Sequence, residues 1–232
     1  MTPRTPADSL ADAASALVRE HDISDLLVQL VRDAAQLTGS STAGLLVRPS
    51  GGSRLEVLAA TDHVTSHLEL YQAMQDEGPC VEVCATGRAV TASEPTILAR
   101  WPVVGPAILS AGLRHVHTYP LTWRGNVLGG LNIFGRDTGL PDEEAVRMAY
   151  AFADMVTLVV AQPERDPEGE IDRRLARALR GRVVIEQAKG VLAQRLGVDQ
   201  ATAYELLLAE RDQKGTTLTA AAERVVAEAY GP

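Results

Sequence analysis

The stretch Arg182-Val-Val-Ile-Glu-Gln-Ala-Lys-Gly-Val-Leu-Ala-Gln-Arg195 indicates more about this chain than any other part of its sequence. Its apolar residues recur at helical spacing and predict a helix with one continuous apolar face. Lys189 and Gly190 nevertheless stand in the middle of that helix, where glycine costs about 0.5–1 kcal/mol relative to alanine. A backbone left open by glycine, beside a lysine, would suit the close approach of an anionic partner.

Basic residues are concentrated around this helix. The net charge of the 232-residue chain is −8, which argues against indiscriminate nucleic-acid binding. Residues 173–195 nevertheless contain a single acidic residue, Glu186, and seven basic ones: Arg173, Arg174, Arg177, Arg180, Arg182, Lys189 and Arg195. A basic run can be no more than a solvated helix face. Because acidic residues directly precede this one, we interpret it as a focused positive patch.

Residues 170–232 show helical patterns and no strand signal. The first helix is long, from about 171 to 196, and Gly197 ends it. Asp199 is a candidate N-cap for a second helix, and a third begins at Thr216 or Thr217, after Gly215. The pattern predicts an all-α, three-helix bundle built on the longer helix.

The preceding part of the chain mixes helices and strands. Helical spacing within residues 1–21 and again from Ile23 to Leu37 predicts two opening helices, the first of which we assign to dimerisation. Alternating or β-rich segments then predict strands, and they are separated by a helix over 64–74 and by a loop-rich segment over 75–114. The predicted strands cover residues 43–48, 54–60, 115–122 and 127–134.

The helix predicted over residues 141–162 is apolar on two faces. One face can cover the sheet of its own domain, and the other requires a partner, either the N-terminal helices or a second subunit. From this helix and the N-terminal pair we infer a homodimer. Residues 163–169 hold two prolines, a glycine and charged residues, so they predict a linker between a domain at 22–162 and the helical domain at 170–232.

Composition excludes several classes. No apolar run approaches the roughly 20 residues that span a bilayer, and the N-terminus lacks the apolar core of a signal peptide, so we expect a cytoplasmic protein. Cys80 and Cys84 are too few for a disulfide scaffold and lack the spacing of a zinc site. We expect neither a metal nor a cofactor.

The C-terminal pattern resembles the ANTAR domain, a three-helix RNA-binding module of bacterial transcription antiterminators. The resemblance covers about residues 170–229 and lies in the core Gln187-Ala-Lys-Gly190, preceded by Arg182 and Ile185. It continues in Ala203-Tyr204 with Leu207, and in Leu218 with Ala222 and Val225, at the offsets of the second and third helices.

Residues 22–161 resemble a GAF domain. The resemblance is carried by Gly78-Pro79-Cys80, Thr86-Gly-Arg-Ala-Val90, Tyr119-Pro-Leu121 and the glycine-rich run from Gly125 to Phe134, in that order. The fold implied is α+β: an antiparallel sheet flanked by helices, followed by the all-α bundle. A GAF pocket could hold a cyclic nucleotide, another small molecule, a tetrapyrrole or nothing.

Together the two resemblances imply a signal-responsive antitermination regulator that is not an enzyme. Such a protein binds paired hairpin loops in nascent RNA as a homodimer and prevents the terminator from forming. Unstacked loop bases can be recognised by side chains, whereas an A-form duplex is recognised poorly. The RNA-binding residues implied are Arg182, Gln187, Ala188, Lys189, Gly190, Arg211, Lys214, Thr216 and Thr217.

Different roles are expected within that set. Arg182 and Lys189 would hold phosphates, with Arg211 and Lys214 as secondary contacts, and Gln187 could meet a base edge. Gly190 would let RNA approach the helix, and Thr216 and Thr217 would offer hydroxyl and N–H groups to a phosphate. Ala188 is interpreted chiefly as core packing.

Two alternatives come from other classes. Some GAF domains reduce free methionine sulfoxide, and Cys80 would then be the reactive residue. The C-terminal helices could instead form a DNA-binding helix-turn-helix, although the long first helix argues against it. The pairs His63/His67 and His115/His117 could each share one face and touch a metal or haem, but no third ligand is evident.

Overall fold

A computed structural model of the chain describes residues 5–18, 22–49, 54–137, 139, 141–161 and 170–229, without the side chains of 170–175 and 177. Its centre is an antiparallel five-stranded sheet with the strand order β2-β1-β5-β4-β3. The strands are β1 Thr42–Val47, β2 Glu56–Ala60, β3 Val90–Ser93, β4 His115–Trp123 and β5 Asn126–Gly135. The predicted linker at 163–169 lies outside the described residues.

Helices cover both faces of the sheet and form the C-terminal bundle. Their bounds are α1 Pro6–Val18, α2 Ile23–Leu37, α3 His63–Gln75, α4 Pro79–Thr86, α5 Glu94–Arg100, α6 Gly105–Ser110, α7 Glu143–Ala161, α8 Glu170–Leu196, α9 Gln200–Lys214 and α10 Leu218–Ala229. The predicted α+β fold, with a sheet followed by a helical bundle, is confirmed.

The β4–β5 hairpin shows how local chemistry sets the sheet. Arg124 and Gly125 both have positive φ, 49° and 84°, as a two-residue type I′ turn requires. Pro120 lies beyond the end of the β3 pairing, so the amide hydrogen that proline lacks is not needed there. At Pro120 the strand β4 is therefore paired with β5 alone.

The two faces of the sheet bury alternate residues of each strand. On one face Leu45 and Ile133 pack with α1, α2 and α7, and on the other Leu46 and Phe134 pack under α3 to α6. The second apolar face of α7 is covered by α1 and α2 of the same chain. That is one of the two partners predicted for it.

Segment 75–114 is more regular than its composition predicts. It contains three short helices and strand β3. Pro79, Pro95 and Pro106 each stand in the first turn of one of these helices, where the missing N–H costs nothing. The prolines therefore mark helix starts and not loops.

The C-terminal helices form the predicted bundle and pack against the sheet domain. Ala188 of α8, Leu207 of α9 and Ala222 of α10 are each fully buried in it. The helix α8 also contacts α2, α7 and β2, so the buried core runs without interruption from the sheet domain into the bundle.

Candidate nucleic-acid interface

Lys189 is buried between the two domains. Only 2% of its surface is exposed, because the side chain lies among α9, α3 and its own helix. Its Nζ donates to Glu186 Oε1 and Oε2 at 3.0 and 2.8 Å, and lies 3.2 Å from His63 Nδ1. It also stands 5.3 Å from the centre of the Tyr204 ring. Carboxylate, imidazole and aromatic ring together compensate the buried ammonium.

Arg182 is held by the sheet domain. One terminal nitrogen, Nη1, donates to the Val57 carbonyl at 2.7 Å, and Nη2 donates to Ser66 Oγ at 3.1 Å. Burial lowers the pKa of the guanidinium. Two positions predicted to bind phosphate therefore point at the sheet domain in this arrangement.

The rest of the Gln187–Gly190 segment faces elsewhere. Gln187 is exposed, and Ala188 is completely buried in the bundle core, as predicted for a packing residue. A β-carbon at Gly190 would meet no atom within 4 Å, so the helix backbone there is open on its outer side. Gly190 was expected to leave the backbone open to an approaching partner; contact with RNA at this position stays a prediction.

The N-terminus of α10 is already occupied. The Thr217 hydroxyl accepts a hydrogen bond from the Ala220 N–H at 3.0 Å and so caps the helix. The Leu218 N–H donates to Asp25 Oδ1 of α2 at 2.6 Å. A carboxylate of the sheet domain thus holds an N–H group at the start of α10, directly after the Thr216 and Thr217 positions predicted to serve a phosphate.

The secondary basic positions form local ion pairs. Arg211 pairs with its neighbour Asp212 at 2.7 Å, and Lys214 pairs with Glu210 at 2.8 Å. Both pairs lie on the α9 side of the bundle, and pairs of this kind contribute little to stability when they are exposed. The side chains of Arg173, Arg174 and Arg177 lie outside the described residues.

Three residues of this region were not predicted: Ser24, Asp25 and Gly181. Gly181 is buried in α8, where a β-carbon would collide with Ser24 Oγ and lie 3.3 Å from Ser24 Cβ. A second glycine within a predicted helix was a signal that a neighbouring element packs closely there. No signal in the sequence could point to Asp25, because its partner Leu218 is 193 residues away.

The interior between the sheet and α3 is filled by a polar cluster around Glu69. Asn132 Nδ2 donates to both Glu69 oxygens, at 2.8 and 2.7 Å, and Gln72 also donates to this carboxylate. Complete burial raises the pKa of Glu69 to about 8, although these hydrogen bonds and the charge of Arg182 act in the opposite direction. The cluster occupies the sheet face that α3 covers.

The surroundings of Cys80 do not favour the reductase alternative. This thiol is fully buried with Sγ 3.9 Å from the Gly130 carbonyl oxygen, and burial raises its pKa well above the ordinary value. A thiol of that kind is a weak nucleophile. The pKa of Cys84 is lowered by the hydrogen bond with Cys80.

The two histidine pairs lie close, with ring centres 4.1 Å apart for His63/His67 and 5.0 Å for His115/His117. Among the described residues, no group of three or more His, Cys, Asp or Glu side chains is placed to hold a metal ion.

Within the part of the chain that the structure describes, no helix combines the length and apolar character needed to cross a membrane.

Two known protein families match the chain, each over a different part of it. The GAF domain family matches residues 20–161, and the ANTAR domain family matches residues 173–226. Among curated protein sequences, none matches the chain.

Solved structures show the fold of the GAF domain. One is the GAF domain of an Acinetobacter phosphoenolpyruvate-protein phosphotransferase, with 16% identity, a TM-score of 0.52, and coverage of 69% of this chain and 95% of that one. Another is a phycocyanobilin-bound GAF domain from a cyanobacterial phytochrome, with 10% identity, a TM-score of 0.53, and coverage of 69% and 96%. At these identities the likeness concerns the fold alone.

Proposed function

Since the chain belongs to the GAF domain family and carries a C-terminal ANTAR domain, we propose that it is a signal-responsive antitermination regulator. In this proposal a homodimer binds paired hairpin loops in nascent RNA and keeps the terminator from forming. The observation that carries the proposal is the ANTAR match over residues 173–226, the RNA-binding module of antiterminators. The combination with a GAF domain is typical of regulators and not of enzymes.

Features of the bundle support RNA as the partner. Gln187 is exposed beside the open backbone at Gly190, so a loop base could contact both. Lys189 directly precedes Gly190, Arg182 lies about two turns before it, and both stand on the side of α8 that the GAF domain covers. In the proposal, these cations and the N-terminus of α10 receive phosphates once that side is free.

The homodimer is supported by residues that the chain leaves exposed. Tyr150 and Leu158 on α7 are 42% and 40% exposed, and their spacing of eight residues places them two turns apart on the same side of the helix. Two RNA-binding modules that bind two hairpins symmetrically require a second copy of the chain. We therefore assign the exposed side of α7 to contact with that copy.

A selection experiment tests the function. The full-length chain is incubated with a pool of two-hairpin RNAs with randomised loops, and bound RNA is amplified over several rounds. The proposal expects enrichment of particular loop sequences, and an affinity for the selected RNA that falls steeply with salt because phosphate contacts release counterions.

Two outcomes would contradict the proposal. Equal affinity for duplex DNA and for the selected RNA would favour a DNA-binding regulator. Turnover of free methionine sulfoxide that disappears in a Cys80→Ser variant, without loop enrichment, would favour a reductase.

A further inference from the structure

We propose that the GAF domain blocks the RNA-binding site with its own side chains. In this proposal the Asp25 carboxylate occupies the position of an RNA phosphate at the N-terminus of α10. RNA binding and the arrangement seen in this structure, called the docked arrangement below, are then mutually exclusive. This inference rests on the proposed function and names the regulation of that same site.

The first step concerns Asp25. The first N–H groups of a helix have no partner within it and attract anions, and the helix dipole adds to that attraction. In the docked arrangement the Leu218 N–H at the start of α10 meets Asp25 Oδ1 at 2.6 Å. This carboxylate comes from α2, at the far end of the sequence. An anion supplied by the GAF domain therefore occupies an anion site of the ANTAR domain.

The second step concerns the two cations. Lys189 is 2% exposed and faces His63 of α3, and Arg182 donates to Val57 of β2 and Ser66 of α3. A phosphate could reach neither group without displacing these partners. In the docked arrangement the GAF domain thus covers both predicted phosphate cations together with the N-terminus of α10.

The third step concerns how the surfaces fit. The start of α2 approaches α8 at Gly181, where any β-carbon would collide with Ser24 Oγ and lie 3.2 Å from Thr219 Oγ1. Because Asp25 follows Ser24 directly, this close approach places the carboxylate at α10. Gly181 is thus a docking residue, whereas Gly190 on the same helix has open space around it.

A reversible covalent lock tests the inference. A β-carbon at position 181 would lie 3.3 Å from Ser24 Cβ, just under the roughly 3.5–4.5 Å of a disulfide. The Ser24→Cys/Gly181→Cys chain is oxidised, its disulfide is verified by mass, and its affinity for the two-hairpin RNA pool and the selected RNA is compared with that of the reduced form. The single-cysteine variants, which keep the native Cys80 and Cys84, are the matched controls.

We expect oxidation to lower the apparent affinity of the double variant for RNA by at least about tenfold, and reduction to restore it. The affinity of the single-cysteine controls should not change. Equal affinity of the oxidised and reduced forms would overturn the inference, and so would failure of the disulfide to form. Absence of RNA binding in both forms would refute the proposed function instead.

A second variant opens the arrangement. Ser24→Leu enlarges the α2 side chain that packs on Gly181 and leaves the sequence of the bundle unchanged, so it should tighten RNA binding, since a larger fraction of the protein is competent. It should also speed the acylation of Lys189 relative to Lys214, the chain's other lysine, which is 48% exposed. Unchanged RNA affinity with fast acylation of Lys189 would overturn the inference, because docking would then be lost without consequence for RNA.

Discussion

Lys189 and Gly190 are neighbours with opposite surroundings. The lysine is sealed between domains by Glu186, His63 and Tyr204, while the glycine borders open space. Sequence periodicity distinguishes the inner from the outer face of a helix, but it does not show which outer residues a second domain will cover. The role of Lys189 in RNA binding therefore remains a prediction, and its burial shows what must change before it could act.

The Gly190→Ala variant should change stability and RNA affinity in opposite directions. A methyl group at this position meets no atom within 4 Å and removes the conformational cost of glycine, so the variant should be more stable by about 0.5–1 kcal/mol. Thermal unfolding measures that gain. If RNA approaches the backbone here, the affinity for the selected RNA should nevertheless fall. A more stable variant with undiminished affinity would remove Gly190 from the site.

Glu69 predicts a pH dependence of stability. Its pKa is about 8 in the folded chain and near the ordinary 4.5 when unfolded, so between these values the folded state binds the extra proton. Its contribution to stability is complete below about pH 4.5 and is lost as the pH rises through about 8. The slope is at most about 1.4 kcal/mol per pH unit. Urea unfolding at several pH values should show a shallower decline in Glu69→Gln; an identical slope would contradict the shifted pKa.

At the scale of elements, periodic segments were predictable and irregular ones were not. The helix predicted over 171–196 is α8, Glu170–Leu196, and the strand predicted over 127–134 is β5, Asn126–Gly135. The helices of segment 75–114 are too short for periodicity to appear, and their prolines resemble loop residues. The contact between Asp25 and Leu218 arises only when two distant elements pack, so no local pattern encodes it.

The cap of α10 gives a prediction at this scale. Thr217→Ala removes the hydroxyl that accepts from the Ala220 N–H and should destabilise the chain by about 1 kcal/mol. Thr216→Ala is the matched control, because the neighbouring hydroxyl is not the cap. Chemical denaturation compares the two variants. Equal stability of both would show that the cap is unimportant, and a loss of RNA affinity in Thr216→Ala alone would support a phosphate contact there.

For the whole molecule, the proposed homodimer can be tested with two matched leucines. Leu158 on α7 and Leu98 on α5 are 40% and 43% exposed, but only Leu158 lies on the stripe proposed for the second copy. Leu158→Glu should turn a dimer into a monomer because it buries a charge in the interface, and Leu98→Glu should not. Light scattering during size-exclusion chromatography measures both masses. A wild-type monomer, or dimers of both variants, would contradict this interface.

The central claim is that the ANTAR helices bind RNA through the side of α8 that carries Lys189. Because Lys189 also contacts the GAF domain, the decisive comparison uses the Ser24→Leu chain, in which docking is already disturbed from the GAF side. The affinity of this chain for the selected RNA is measured over a series of salt concentrations, with and without Lys189→Ala. Arg88→Ala is the control for loss of one positive charge, because the exposed Arg88 lies between α4 and β3, at the opposite edge of the sheet from the strand that α8 contacts.

We expect Lys189→Ala to weaken binding to all loop sequences and to reduce the slope of log affinity against log salt by about one, while Arg88→Ala changes neither. A folded Lys189→Ala chain with the parent's affinity and salt slope would contradict the account.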